Sequence, residues 1–319
     1  MSLLDAPGAT VVPAEPAAPP RPGRRGRYLP YYLAIAPFFV IFGVFWLYPL
    51  GYSFFLALQR WDGIGPMHFV GLENFRFLAT DATFWNSILN TLLIWVMSVV
   101  PMTVLAMLIA IGLNSTVRFA GLYRIAYFVP NVTSTVAMSL VFASIFSGQF
   151  GILNWVLGLF GVDPVPWLTN PWGIRTAIAV MIIWRWVGYN AIIFLAGLQA
   201  IPDEVHEAAR IDGAGPVQTF FRVTLPLLRP VLLFSVLMSA ISGMQVFAES
   251  QVLVGNRGGP EEAGLTMVLY FYNRAFYYND FGYGAAIAWG IFLVVVIFAI
   301  LNWRLIQRPE RRRAGKVAR

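Results

Sequence analysis

Apolar residues in this chain fall in long runs separated by short polar segments. The first run, Tyr31 to Phe55, extends for 25 residues without a charge. That exceeds the roughly 7–15 residues of a cleavable signal's apolar region, so the segment is expected to stay in a bilayer. Its prolines, Pro37 and Pro49, predict kinks or frayed ends. Five more runs approach the roughly 20 residues an α-helix needs to cross the hydrocarbon core: 88–113, 125–146, 174–198, 231–248 and 283–303. With the first span at 31–55, the pattern predicts an all-α, polytopic protein of six transmembrane helices, because a helix satisfies its backbone polar groups internally. The shorter run 150–161, flanked by glycine and proline, reads as an interfacial helix.

The polar segments complete the organisation. Residues 1–28, rich in proline and alanine and carrying Arg21, Arg24, Arg25 and Arg27, read as a disordered basic tail. The membrane domain is 29–306, and 307–319 form a basic C-terminal tail. If the first tail is cytoplasmic, the same side holds Arg118, Arg124, Arg210, Arg222, Arg229 and the C-terminal cluster from Arg304 to Arg319. The opposite loops hold only Arg60, Arg76, Arg257 and Arg274. The positive-inside rule then places both termini in the cytoplasm.

Between the fourth and fifth spans lies a cytoplasmic loop, 199–230, longer than a hairpin between spans requires. Pro202, Asp203 and Glu204 predict a helix start. Gly213 predicts its stop. Gly215 and Pro216 then open a second short helix that Pro226 is expected to end. One reading is a solvated amphipathic loop. The other is a docking element, in which Ala208, Ala209, Gly213, Ala214 and Gly215 permit close approach while Glu207 and Asp212 present carboxylates.

Composition narrows the chemistry. Hydrophobic residues are 58% of the 319 and charged residues 12%, against about 25% charged in a soluble domain. Mean hydropathy is +0.68. There is no cysteine, and His68 and His206 are the only histidines, which leaves little for thiolate or metal chemistry. Lys316, the sole lysine, stands outside any phosphate-binding loop. The chain therefore cannot hydrolyse ATP through a P-loop of its own, and it is expected to be a non-catalytic subunit with no cofactor of its own. The net charge of +7 orients the chain in a membrane and does not signal nucleic acid.

The loop sequence EAARIDGAG (207–215), followed by TLPLLRP (224–230), resembles the EAA motif in membrane subunits of binding-protein-dependent ABC importers. The resemblance covers roughly 29–306 and is nearest the sugar permeases of the maltose-transporter type. FVGLENFRFLATDATFWNSILNT (69–91), PWLTNP (166–171), FLAGLQAIP (194–202) and GGP (258–260) fit the same pattern. It implies the type I importer permease fold, in a prokaryotic inner or plasma membrane. The implied partners are a second six-span permease subunit, expected to make a heterodimer, two ATPase subunits that bind ATP and Mg, and an extracellular sugar-binding protein. It also implies a coupling helix seated in the ATPase, with Glu207 as the contact carboxylate and Ala208, Ala209, Asp212, Gly213 and Ala214 around it.

A sugar path needs hydroxyl, amide and indole groups facing a wet cavity. The fourth span offers Trp184, Arg185, Tyr189 and Asn190, and the fifth offers Met244, Gln245, Phe247 and Glu249. Arg185 and Glu249 stand out because an ionisable group within the bilayer costs at least about 2.5 kcal/mol. The alternative is that the aromatics face lipid and the charges serve subunit packing. The aromatic stretch 266–281 suits either reception of a binding protein or the entrance to the last span. A di- or oligosaccharide is the expected substrate, with another small polar solute, such as a glycerol phosphodiester, as the alternative. A secondary transporter would need a coupling-ion site and usually an internal repeat. An intramembrane enzyme would need a nucleophile with a base, or a metal site.

Overall fold

The computed structural model of the chain describes residues 24–114 and 120–317. The chain divides into two compact units, Met1–Tyr52 and Ser53–Arg319. In the first, α1 (Arg24–Phe42) continues through a π-helical turn, Gly43–Leu47, into α2 (Tyr48–Ala57). No break occurs at Pro37 or Pro49. The Tyr48 N–H donates to the Gly43 carbonyl, and this wider turn directly before Pro49 relieves the clash a proline ring makes in an ordinary α-turn. The helix begins at Arg24, inside the segment expected to be a disordered tail; residues 1–23 lie outside the described residues.

The second unit takes in the end of α2 and continues with an antiparallel hairpin, β1 (Gln59–Arg60) against β2 (His68–Phe69), a small departure from the all-α expectation. Asn74, on α3 (Glu73–Thr80), ties it down by donating to the carbonyls of Ala57 and Gln59, each at 2.9 Å. α4 (Ala82–Asn114) follows. The run expected as one straight span at 125–146 is instead two helices, α5 (Ala120–Val132) and α6 (Thr135–Ile145), bent by 95°. Pro130 lacks a donor for the last turn of α5, and Ser134 is extended with its carbonyl accepting from Met138 at 2.9 Å. Hydropathy does not register such a bend, because both arms are apolar.

α7 (Ile152–Leu159) forms from the short run, and α8 (Pro171–Gln199) is capped by the Asn170 side chain, which accepts from Trp172 and Gly173. Then come α9 (Asp203–Ile211) and α10 (Pro216–Thr219), which passes through a second π turn, Phe220–Thr224, into α11 (Leu225–Gly243). Pro226 therefore does not end a separate surface helix. The Leu225 N–H donates back to Phe220 immediately before it, the same device as at Pro49. The span drawn at 231–248 accordingly starts earlier and stops at Gly243. A non-helical bend then leads to α12 (Ala248–Val254), α13 (Met267–Tyr272) and α14 (Phe281–Val317), which continues through most of the basic tail. Among the described residues five helices are long and apolar enough to cross a membrane, and the bent pair supplies a sixth when counted as one span.

Three apolar clusters hold the second unit. Phe84, Ile88, Met267, Leu269 and Ile287 join α4, α13 and α14. Ile94, Phe142, Ile178, Met181 and Leu253 join α4, α6, α8 and α12. Ala106, Ala110, Ala191, Phe194 and Leu228 join α4, α8 and α11. Small residues set the spacing, since helices in lipid gain association from close packing and not from expulsion of water. At Gly188 a Cβ would lie 1.8 Å from the Tyr127 carbonyl oxygen, so α5 rests directly on the α8 backbone.

Candidate functional site

The loop after α8 folds as a helix and a tight turn. Asp203 and Glu204 occupy the first turn of α9 and Arg210 the last, each favourable to the helix dipole. Gly213 has φ +78°, a left-handed conformation that costs glycine least. The Ala214 N–H donates to the Ala209 carbonyl at 2.9 Å and the Gly213 N–H to Arg210 at 3.0 Å, a Schellman closure. Glu207, Ala208, Asp212 and Gly213 are exposed, Ala214 is half-buried, and Ala209 is buried. The exposed face also carries Ile211, Val217 and Phe221, exposed by 86%, 71% and 60%. Sequence reasoning passed these three over. Their signal was the presence of large apolar residues within a loop read as amphipathic.

The second feature is a cavity of about 770 Å³ inside the helix bundle, within the roughly 300–1,000 Å³ of small-molecule sites. One face of α8 contributes Arg185, Trp186, Tyr189 and Asn190. α11 adds Ser235, Ser239 and Ser242, the bend after it adds Gln245 and Phe247, and the first turn of α12 adds Glu249. α4 supplies Trp95, Ser98 and Met102, and the corner between α5 and α6 supplies Thr135. Of the eight residues proposed from sequence, six line this cavity. Trp184 does not: its ring packs edge-on against Phe142 at 5.6 Å. Met244 does not either, because it is 1% exposed and buried with Met267 and Leu269. Helix rotation turns Trp184 away from the lining face, and the bend at 244–247 puts Met244 and Gln245 on opposite sides.

Within the wall, Asn190 is 5% exposed, donates to the Trp186 carbonyl at 3.0 Å and accepts from Ser235. Gln245 is exposed. Arg185 donates to Thr135 and stands 3.8 Å from Glu249. The serines of α11, Ser235, Ser239 and Ser242, recur at i, i+4 and i+7 as a hydroxyl stripe on the cavity side. Trp95, Ser98 and Thr135 carried no local signal.

A third group lies at the opposite end from α9. Asp81 accepts from the hydroxyls of Tyr270 and Tyr283, and Arg274 Nε donates to Tyr270 at 3.1 Å while lying over the Tyr270, Tyr278 and Tyr283 rings. Burial pushes the Asp81 pKa up, but the two hydroxyls and the backbone of Thr83 and Phe84 outweigh it and hold the carboxylate below its ordinary range. Burial first, and then the neighbouring carboxylate, raise the Tyr270 pKa to about 12. The stretch 266–281 is therefore divided, with Tyr270 and Arg274 turned inward and Phe276, Tyr277 and Tyr278 exposed. Among the described residues no group of three or more His, Asp or Glu could hold a metal ion.

Residues 77–313 match the family described as binding-protein-dependent transport system inner membrane component. The arabinooligosaccharides transport system permease protein AraP of Bacillus subtilis is 37% identical over 276 residues, covering 86% of this chain and 87% of that protein. The lactose transport system permease protein LacF of Rhizobium radiobacter is also 37% identical, over 85% of this chain and 92% of its own length. In three dimensions the chain is similar to a bacterial ABC transporter involved in the import of the acidic polysaccharide alginate, with TM-score 0.74, 21% identity and coverage of 89% and 96%. That likeness shows the fold of a type I importer permease.

Proposed function

The chain belongs to the family of binding-protein-dependent transport system inner membrane components, a multi-pass permease family, and from that premise we propose that it forms half of the path by which an ATP-driven importer moves a di- or oligosaccharide across a prokaryotic inner membrane. The observation that carries this reading is the cavity lined by hydroxyl, amide and indole groups from α4, α8 and α11. Uncharged polyols are recognised by such groups. Relatives named for arabinooligosaccharides and lactose support the substrate class.

The energy comes from partners in this reading. Closure of two ATPase subunits around ATP and Mg moves the loop at Glu207, and α9 transmits the motion because it is short, capped at its C-terminal end and continuous through one tight turn with the helix α10–α11. A rigid element displaces a helix bundle where a flexible loop would absorb the motion. A second permease subunit completes the path, and an extracellular sugar-binding protein loads it.

Reconstitution in liposomes tests the proposal. Uptake of a labelled disaccharide is expected only with the second permease, the ATPase pair, ATP and the binding protein all present. Transport by the chain alone on an ion gradient would overturn it.

A further inference from the structure

Two charged side chains stand in the cavity wall in an arrangement that simple packing does not explain. Arg60 and Glu73, exposed in the outer loop, close to 2.7 Å with a hydrogen bond. Arg185 and Glu249 are the more buried pair, with side chains 18% and 13% exposed, yet they stop at 3.8 Å. Burial raises the cost of any unmet charge, so the buried pair is the one expected to close. At its actual distance the opposite charges still offset each other while both groups keep their hydrogen-bonding capacity.

That capacity is largely unused. A guanidinium carries five N–H donors in a planar fork. Arg185 donates from Nη1 to Thr135, and its buried Nε has no partner. The Glu249 carboxylate accepts no hydrogen bond among the described residues. Two more cavity-lining residues, Trp95 and Ser239, have a buried Nε1 and a buried Oγ without partners. Natural structures leave few buried polar groups unmet, and an unmet one calls for an explanation.

We propose that Arg185 and Glu249 form one subsite that binds a vicinal diol of an uncharged sugar, and that Glu249 sets the charge the cavity accepts. The inference rests on the sugar-importer reading above and deepens it to the charge class of the substrate. Adjacent ring hydroxyls are each donor and acceptor, so one accepts from the guanidinium fork while its neighbour donates to the Glu249 carboxylate. Phe247 and Trp186 supply aromatic surface on the same wall. An anionic sugar would meet the Glu249 charge at the same place and be repelled. Without that carboxylate, the fork becomes an unpaired cation suited to bidentate capture of a carboxylate.

The test uses the purified complex of this chain with its partner subunits and without binding protein, so that the cavity alone selects. Saturation-transfer NMR gives the affinities of three neutral probes, lactose, maltose and arabinobiose, and of digalacturonate as the anionic probe. The wild type is expected to bind at least one neutral probe in preference to digalacturonate. Glu249→Gln is expected to tighten digalacturonate by about tenfold, the equivalent of one charge-assisted hydrogen bond, and to weaken the preferred neutral sugar. Arg185→Lys keeps the charge balance but loses the fork, so the neutral sugar weakens with no gain for digalacturonate. An unchanged neutral-to-anionic ratio in Glu249→Gln overturns the subsite while leaving the sugar reading intact. If that variant does not assemble, unchanged neutral affinity in Arg185→Lys overturns it. A wild-type complex that binds none of the neutral probes overturns both.

Discussion

The loop around Glu207 and the cavity around Arg185 are built in opposite ways. Every group of the loop comes from consecutive residues, 207 to 215, and its shape is set locally by a helix dipole, a left-handed glycine and two backbone hydrogen bonds. The cavity draws on α4, the α5–α6 corner, α8 and α11–α12, with Trp95 and Glu249 at its extremes in sequence. In the proposed reading the loop is a short mechanical part that works for any solute. The cavity exists only when these helices are packed, and in the same reading its chemistry suits one class of solute. Mutations should therefore separate them, with loop changes affecting all transport alike and cavity changes affecting selectivity.

The largest expected effect is at the loop. Glu207→Ala removes an exposed carboxylate from the proposed docking face, and Gly213→Pro replaces a residue at φ +78° by one fixed near −65°. If Glu207 is a centre of the ATPase contact, its truncation costs about 2 kcal/mol of docking, or on the order of 30-fold in affinity. Co-purification of ATPase and uptake of every solute should fall together, while membrane insertion stays normal. Normal ATPase recovery at an unchanged uptake rate would mean that the loop does not couple the two.

The same contrast decides what the sequence made legible. Glu207, Asp212 and Gly213 were readable because the turn they make depends on near neighbours, and glycine after a capped amphipathic helix has few other uses. The cavity was readable only as regions. Arg185 and Glu249 stood out because charge is rare in apolar runs, and the structure pairs them at 3.8 Å. Trp184 and Met244 could not be separated from Tyr189 and Gln245 without knowing the rotation of α8 and the bend after Gly243. Thr135 reaches the cavity because Pro130 and Ser134 break a helix that hydropathy draws as straight. Pro49 and Pro226 misled in the other direction, since a π turn before each lets the helix continue.

Within the cavity two amides sharpen the comparison. The Gln245 side chain is exposed and makes no hydrogen bond among the described residues, its backbone N–H alone donating to Ser242, whereas Asn190 is buried and its side chain is bonded to both Trp186 and Ser235. Gln245→Ala should raise the KM for sugar several-fold, equivalent to about 1 kcal/mol of a lost hydrogen bond, with an unchanged melting temperature. Asn190→Ala should alter transport and also lower the melting temperature, because intramembrane hydrogen bonds average about 0.6 kcal/mol. Equal thermal stability of the two variants would remove the distinction between lining and supporting residues.

The smallest expected effect lies at the cluster around Asp81, which contributes no side chain to either region and ties α13 to the ends of α4 and α14. Its titration gives it a signature of its own. Tyr270 has a folded pKa of about 12, above the value of about 10 for a free phenol. A group raised in this way contributes stability that is intact below pH 10 and is lost as pH climbs through 12. Asp81 is shifted the other way, so its contribution is present above the usual carboxylate range and is lost only as pH falls below it. Tyr270→Phe should cost about 1 kcal/mol or less at neutral pH, since Asp81 is half-buried and keeps the Tyr283 hydroxyl, and should blunt the alkaline fall in melting temperature between pH 10 and 12. Uptake selectivity and ATPase recovery should both stay at wild-type levels in that variant. A change in selectivity would mean that the outer cluster reaches the cavity, and the division between a coupling part and a selecting part would then have to include a third element that links them.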